Sequence, residues 1–159
     1  MMADETGGRG GSGRVRLHLA LGWCLLTLFM FLGITLEAMH ALKLGWYLDL
    51  ANATRRLLFR LAHAHGVLLG LVNVCFALSI PHLELRGRRL GAWISRCVFL
   101  GSMLLPAGFL LGGIIVYGGD PNPGVLLSPI GALLLAAGGL GIVRSLFAGA
   151  PGSGRDPGE

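Results

Sequence analysis

The sequence predicts an all-α fold, a four-helix transmembrane bundle with disordered tails, and three observations carry that reading. First, 53% of its 159 residues are hydrophobic and only 13% are charged, where a soluble domain carries about 25% charged residues. Mean hydropathy is accordingly +0.70. Second, the apolar residues gather into four long runs, each near the roughly 20 residues a helix needs to cross a hydrocarbon core. Third, the charges sit at the chain ends and in the connections between runs. The length suits one domain and excludes a transporter of ten or more spans.

The elements follow in order. Residues 1–16 carry Gly7, Gly8, Gly10, Gly11 and Gly13 among Arg9, Arg14 and Arg16, too little apolar surface to fold, and read as a disordered basic tail. The membrane domain spans residues 17–147, with helices expected at about 17–36, 61–80, 97–117 and 125–143, and a second disordered tail covers 148–159. Helices are required because lipid offers no partner for backbone N–H and C=O groups. The first run is longer than the 7–15 apolar residues of a signal peptide and no A-x-A site follows it, so it reads as a retained span.

Nine cationic residues (Arg9, Arg14, Arg16, Arg86, Arg88, Arg89, Arg96, Arg144 and Arg155) fall on the side that holds both termini, against four (Lys43, Arg55, Arg56 and Arg60) on the other. The positive-inside rule then places both termini in the cytoplasm of a cell (inner) membrane protein. The basic loop Leu85–Arg89 reads as an anchor to anionic headgroups, not as a nucleic-acid surface, since no aromatic residues interleave with it. The expected partners are the bilayer and a membrane protein or second copy.

The connection over residues 41–60 reads as an interfacial amphipathic segment with Trp46 and Tyr47 in the aromatic belt, and Asn52-Ala53-Thr54 matches a glycosylation sequon. The connection over residues 118–124, Gly-Gly-Asp-Pro-Asn-Pro-Gly, is built from turn formers. Cys24, Cys75 and Cys97 are too few and too scattered for a disulfide framework. Twenty-seven glycines fit close helix packing in lipid, or, within the spans, clearance for a flat cofactor.

Polar side chains inside a span are costly, and each is a functional candidate. Glu37 and His40 close the first run while His63 and His65 open the second, so antiparallel helices bring all four to one depth near the outer face. Glu37 and His40, three apart, share a helix face; His63 and His65, two apart, face opposite ways. His63 continues into the small and polar stripe Gly66, Gly70, Asn73 and Ala77, which predicts that it looks into the bundle, whereas His65 aligns with Leu58, Leu69, Val72 and Phe76 and faces another helix or the interface. Asn73 is expected to hydrogen-bond between helices, and His18 and His82 to snorkel to water. Pro106 and Pro129 are expected to kink the third and fourth spans.

Two chemistries fit this set. An axial histidine from each of two helices, His40 with His63 or His65, would hold a b-type haem, with Arg60 and its neighbours Arg55 and Arg56 pairing with propionates. Alternatively, Glu37, His40, His63 and His65 make a mixed shell for zinc, iron or copper. No Walker loop, G-x-S-x-G or H-E-x-x-H occurs. The run His63-Ala64-His65-Gly66 in a span resembles a His-bearing helix of the haem–copper oxidase and nitric oxide reductase catalytic subunits, and that resemblance implies His63 and His65 as metal or haem ligands. The reading is a multi-pass membrane protein that binds haem or a transition metal in electron transfer or redox sensing. The alternatives are a non-catalytic accessory or assembly protein with structural histidines, and a small metal-dependent enzyme using Glu37 as base.

Overall fold

A computed structural model describes residues 5–49, 53–83 and 88–148. It is all-α apart from one two-residue strand pair. Four long helices, α1 (Glu5–Ala41), α3 (Ala53–Ser79), α4 (Arg88–Ile114) and α5 (Leu127–Ala148), are joined by the four-residue helix α2 (Gly45–Leu48) and by short 3₁₀ turns at Ile80–His82 and Pro123–Leu126. Each long helix is apolar enough over at least 18 residues to cross a membrane. The outer surface agrees: Trp23, Leu28, Phe31, Leu133, Leu140 and Phe147 all lie exposed on it, a surface that water would not tolerate. The chain is a four-span, multi-pass membrane protein.

The spans run further than the apolar runs alone predict, over 11–41, 53–82, 89–114 and 123–147. At the N-terminal side α1 extends back to Glu5, so residues 5–16, expected as a tail, are helical. The physical reason is tertiary: Val15 packs against the cluster of Phe76, Ile80, Leu83, Ile94 and Val98, and propagation from an existing helix is cheap. Residues 1–4 and the expected C-terminal tail from 149 onward lie outside the described residues, as does Asn52 of the sequon. Span three stops at Ile114, not at residue 117. Val116–Tyr117 leaves the helix as β1 and pairs antiparallel with β2, Asp120–Pro121. The two turn residues, Gly118 and Gly119, have φ of +56° and +94°, which glycine adopts without steric cost.

The helices pack as an open row in the order α1, α3, α4, α5, with α3 and α4 central and α1 only grazing α4. Glycine sets the spacing. A Cβ on Gly22 would meet the Gly70 carbonyl at 2.8 Å, and one on Gly70 the Gly22 carbonyl at 2.9 Å, so α1 and α3 touch backbone to backbone. On the other side of the row, a Cβ on Gly131 would lie 2.5 Å from the Leu105 amide nitrogen, and one on Gly101 2.8 Å from the Gly131 carbonyl. The space beside Gly66 is filled by the Phe29 ring and that beside Gly108 by Ser128. These glycines therefore pack helices together.

At the end of the row carrying α2, the chain makes a cap. Lys43 sits at φ +52°, and its N–H bonds the His40 carbonyl while Leu44 N–H bonds that of Met39, a Schellman closure that stops α1 just beyond His40. Tyr47 is only 2% exposed and packs with Leu36 and Phe59. Protein covers the ring, because α2 folds back over the helix ends. Arg55 lies over the Trp46 ring at 4.5 Å and donates from Nη1 to the Trp46 carbonyl at 2.8 Å. Thr54 donates to the Gly119 carbonyl at 2.7 Å, which ties α3 to the hairpin.

Toward the opposite end lies a polar cluster fully enclosed by helices. His18 is 0% exposed, which corrects the expectation that it reaches water. Asn73 donates from Nδ2 to the Leu69 carbonyl at 2.8 Å and to Ser102 Oγ at 2.7 Å, so its oxygen faces His18, and His18 Nδ1–H donates to it at 2.7 Å. His18 Nε2 meets Ser95 Oγ at 2.8 Å, and Phe76 stands edge-on to the ring at 4.7 Å. The interhelical bonding expected of Asn73 is present, and three helices, α1, α3 and α4, are joined by it.

Two predictions follow from this packing. Gly131→Ala forces α4 and α5 apart and destabilises the detergent-solubilised protein by about 1–3 kcal/mol. Gly139→Ala, on the same helix with nothing within 4 Å of its added Cβ, is neutral or stabilising by up to about 1 kcal/mol. Thermal unfolding of the pair checks the contrast. Separately, a double-mutant cycle of His18→Phe and Asn73→Leu should return a coupling on the order of 1 kcal/mol; additive effects would show that the two groups do not bond.

Candidate functional site: a groove between α1 and α3

The candidate residues come from two helices that run in opposite directions. α1 contributes Met30, Gly33, Ile34, Glu37 and His40, which recur at helical spacing on one face, and α3 contributes Arg60 and His63. With Leu36 and Tyr47 these line a cavity of about 580 Å³ on the outer side of the α1–α3 pair. Four of the five residues singled out from sequence, Glu37, His40, Arg60 and His63, are thus brought to one groove. The fifth is not.

His63 is held on both sides. Its Nδ1–H donates to the Phe29 carbonyl at 2.6 Å, and since a carbonyl only accepts, the proton must be on Nδ1. The Cε1 edge of the ring rests against Gly33, where any Cβ would collide with it. Glycine at position 33 is therefore what admits the imidazole against the α1 backbone. Nε2 has no hydrogen-bond partner among the described residues.

Glu37, His40 and Arg60 are exposed. None makes a hydrogen bond or ion pair to another described residue, so Glu37 pairs with neither Arg60 nor His40. Arg55 is withdrawn from the expected propionate-binding set, because Trp46 holds it in the cap. Arg60 remains. Glu37 and Arg60 lie at the α2 end of the groove and His63 one turn deeper, where Met30, Gly33 and Ile34 make the wall apolar.

His65 is on the other side of α3. Its Nδ1–H donates to the Leu61 carbonyl at 2.8 Å, and its ring lies 5.1 Å from that of Phe109 on α4. The expectation that it faces another helix is met. The expectation of one shell made by Glu37, His40, His63 and His65 is not: no three His, Cys, Asp or Glu side chains among the described residues converge as a metal ion would require. The reason is helical geometry, since residues two apart point about 200° apart. Cys24, Cys75 and Cys97 are free thiols at separate places.

The groove is legible from residue spacing; the role of Gly33 and the carbonyl of Phe29 is not, because neither carries a side-chain signal. No family model matches the chain. Nor does any curated protein or solved structure match it, so the groove is read from its own geometry.

The hydrogen bonds make a spectroscopic prediction. In ¹⁵N-histidine-labelled protein, His63 and His65 both show a protonated, hydrogen-bonded Nδ1. Gly33→Ala disturbs the His63 signal and leaves that of His65 in place. A His63 signal typical of the Nε2–H tautomer would contradict the bond to Phe29.

Proposed function

We propose that this multi-pass membrane protein binds b-type haem in the α1–α3 groove, with His63 as an axial ligand through Nε2, and serves electron transfer or redox sensing. The observation that carries the reading is the state of His63. Its Nδ1–H is anchored on a backbone carbonyl at 2.6 Å, the support that metal-ligating histidines use to fix tautomer and ring orientation. Its other nitrogen is a bare acceptor beneath an ionisable rim, and an intramembrane polar group without a partner is expensive.

Haem is favoured over a bare metal ion because the macrocycle brings four nitrogens of its own and asks the protein for one or two. The three-ligand convergence that an ion would need is missing among the described residues. His40 is the candidate for the second axial position. It stands seven residues beyond Gly33 on α1, about 10 Å along the axis. Helical side chains lean toward their own N-terminus, so His40 leans into the groove and His63, on the antiparallel helix, leans out to meet it. Arg60 at the rim is placed to pair with a propionate, and the apolar wall suits the ring body. Bound there, the haem would supply one-electron chemistry; the protein's share is to orient the imidazole and to keep water away from it. The likeness of His63-Ala64-His65-Gly66 to oxidase helices supports His63 in this role.

Orientation belongs to the same proposal. The end opposite α2 carries Arg14, Arg16, Arg89, Arg96 and Arg144, and the positive-inside rule assigns it to the cytoplasm, which puts the groove near the outer face of the cell membrane.

The test is the absorption spectrum, oxidised and dithionite-reduced, of protein purified in detergent after expression with ample haem. Sharp reduced-minus-oxidised bands are expected. His63→Ala removes them, and His40→Ala converts a six-coordinate spectrum to a five-coordinate one. A featureless spectrum from folded protein sinks the proposal and leaves the histidines to a structural or assembly role.

A further inference from the structure

The second histidine of the pair opens on a separate cavity, and its chemistry is unusually restrictive. His65, Phe109, Leu126, Ser128, Pro129 and Ala132 line a groove of about 390 Å³ at α3, α4 and α5, open along Leu126, Pro129 and Ala132. The lining is apolar but for two side chains. His65 spends its Nδ1–H on the Leu61 carbonyl, which in a neutral imidazole leaves Nε2 as an acceptor. Ser128 spends its hydroxyl hydrogen on the Leu105 carbonyl at 3.0 Å, so its oxygen too has only lone pairs to offer. The side chains around the cavity therefore present two acceptors and no donor.

We propose that this cavity binds the ring of a lipid-soluble quinol, with a ring hydroxyl donating to His65 Nε2. Three observations select that chemistry. The site lies five residues deeper than Arg60 along α3, about 7–8 Å, so its occupant comes from the lipid phase. Water is a poor occupant, because a buried water needs two to four polar partners and the two here sit in a volume many waters would have to fill. An acyl chain would satisfy the apolar walls and leave the Nε2 lone pair bare, which buried acceptors avoid. A flat ring with hydroxyl donors satisfies both, packing on the Phe109 and Pro129 walls. The oxidised quinone, whose oxygens only accept, faces two acceptors and is discriminated against. The inference concerns binding only, and it stands whatever occupies the groove on the other side of α3.

The experiment measures equilibrium binding of decylbenzoquinol and decylbenzoquinone to the purified protein in detergent, under anaerobic conditions. The quinol is expected to bind about tenfold or more tighter than the quinone, the value of one well-formed hydrogen bond. His65→Phe keeps the ring volume and loses the acceptor, so the preference collapses to near unity. His63→Phe leaves the preference intact. Ala132→Trp fills the cavity and removes binding of both forms, which keeps the proposal testable should His65→Phe fail to fold. Equal binding of quinol and quinone by the native protein overturns the proposal. So does an undiminished preference in His65→Phe, which would remove His65 as the acceptor, or unchanged binding in Ala132→Trp, which would place the ligand elsewhere.

Discussion

Backbone-to-backbone contact between helices is the constraint on which the rest of this structure depends. Lipid gives apolar helices no hydrophobic reason to associate, so they must gain from close packing and hydrogen bonds. In this chain the closeness comes from glycine set against backbone: Gly22 against Gly70 between α1 and α3, Gly101 against Gly131 and Gly131 against Leu105 between α4 and α5. Wider spacing would move the Phe29 carbonyl away from His63 Nδ1 and Asn73 away from His18. Both bonds are 2.6–2.7 Å long, and neither survives a separation of even an ångström. The polar chemistry of the bundle is thus a consequence of its small residues.

Those polar groups divide into two kinds, and the division separates scaffold from site. The His18, Asn73, Ser95 and Ser102 cluster is enclosed, and both ring nitrogens of His18 are engaged within it. A satisfied network inside lipid fixes helix register and asks nothing of a ligand. His63 and His65 are each satisfied at one nitrogen only, and each of the other two nitrogens lies beside a cavity. Depth alone does not sort them. The accounting of donors and acceptors does.

Much of this was legible in the sequence, and the misses have physical causes. Four spans, the Gly118-Gly119 turn, the inward stripe of Gly66, Gly70, Asn73 and Ala77, and the shared groove of Glu37, His40, Arg60 and His63 follow from hydropathy, turn chemistry and helical period. The burial of His18 is hidden in the sequence because its closeness to Arg14 and Arg16 suggests water, whereas α1 extends to Glu5 and carries that interface outward with it. The burial of Tyr47 is hidden in the sequence because nothing local in Gly45–Leu48 announces that the segment folds back onto Leu36 and Phe59. The supports of His63, a glycine and a carbonyl, belong to the backbone, on which periodicity is silent.

The spacing of the two histidines gives α3 its position in the argument. Had they been three or four residues apart, both imidazoles would share one face and one cavity, and a bidentate shell on a single helix would follow. Two apart, they divide. α3 is the inner helix that touches both α1 and α4, so one imidazole enters the α1 groove and the other the α4–α5 cavity. The two nitrogens left open are then separated by the thickness of a single helix, about 10 Å with side chains. A short motif that looks like one site is, in an open row of helices, the shared wall of two.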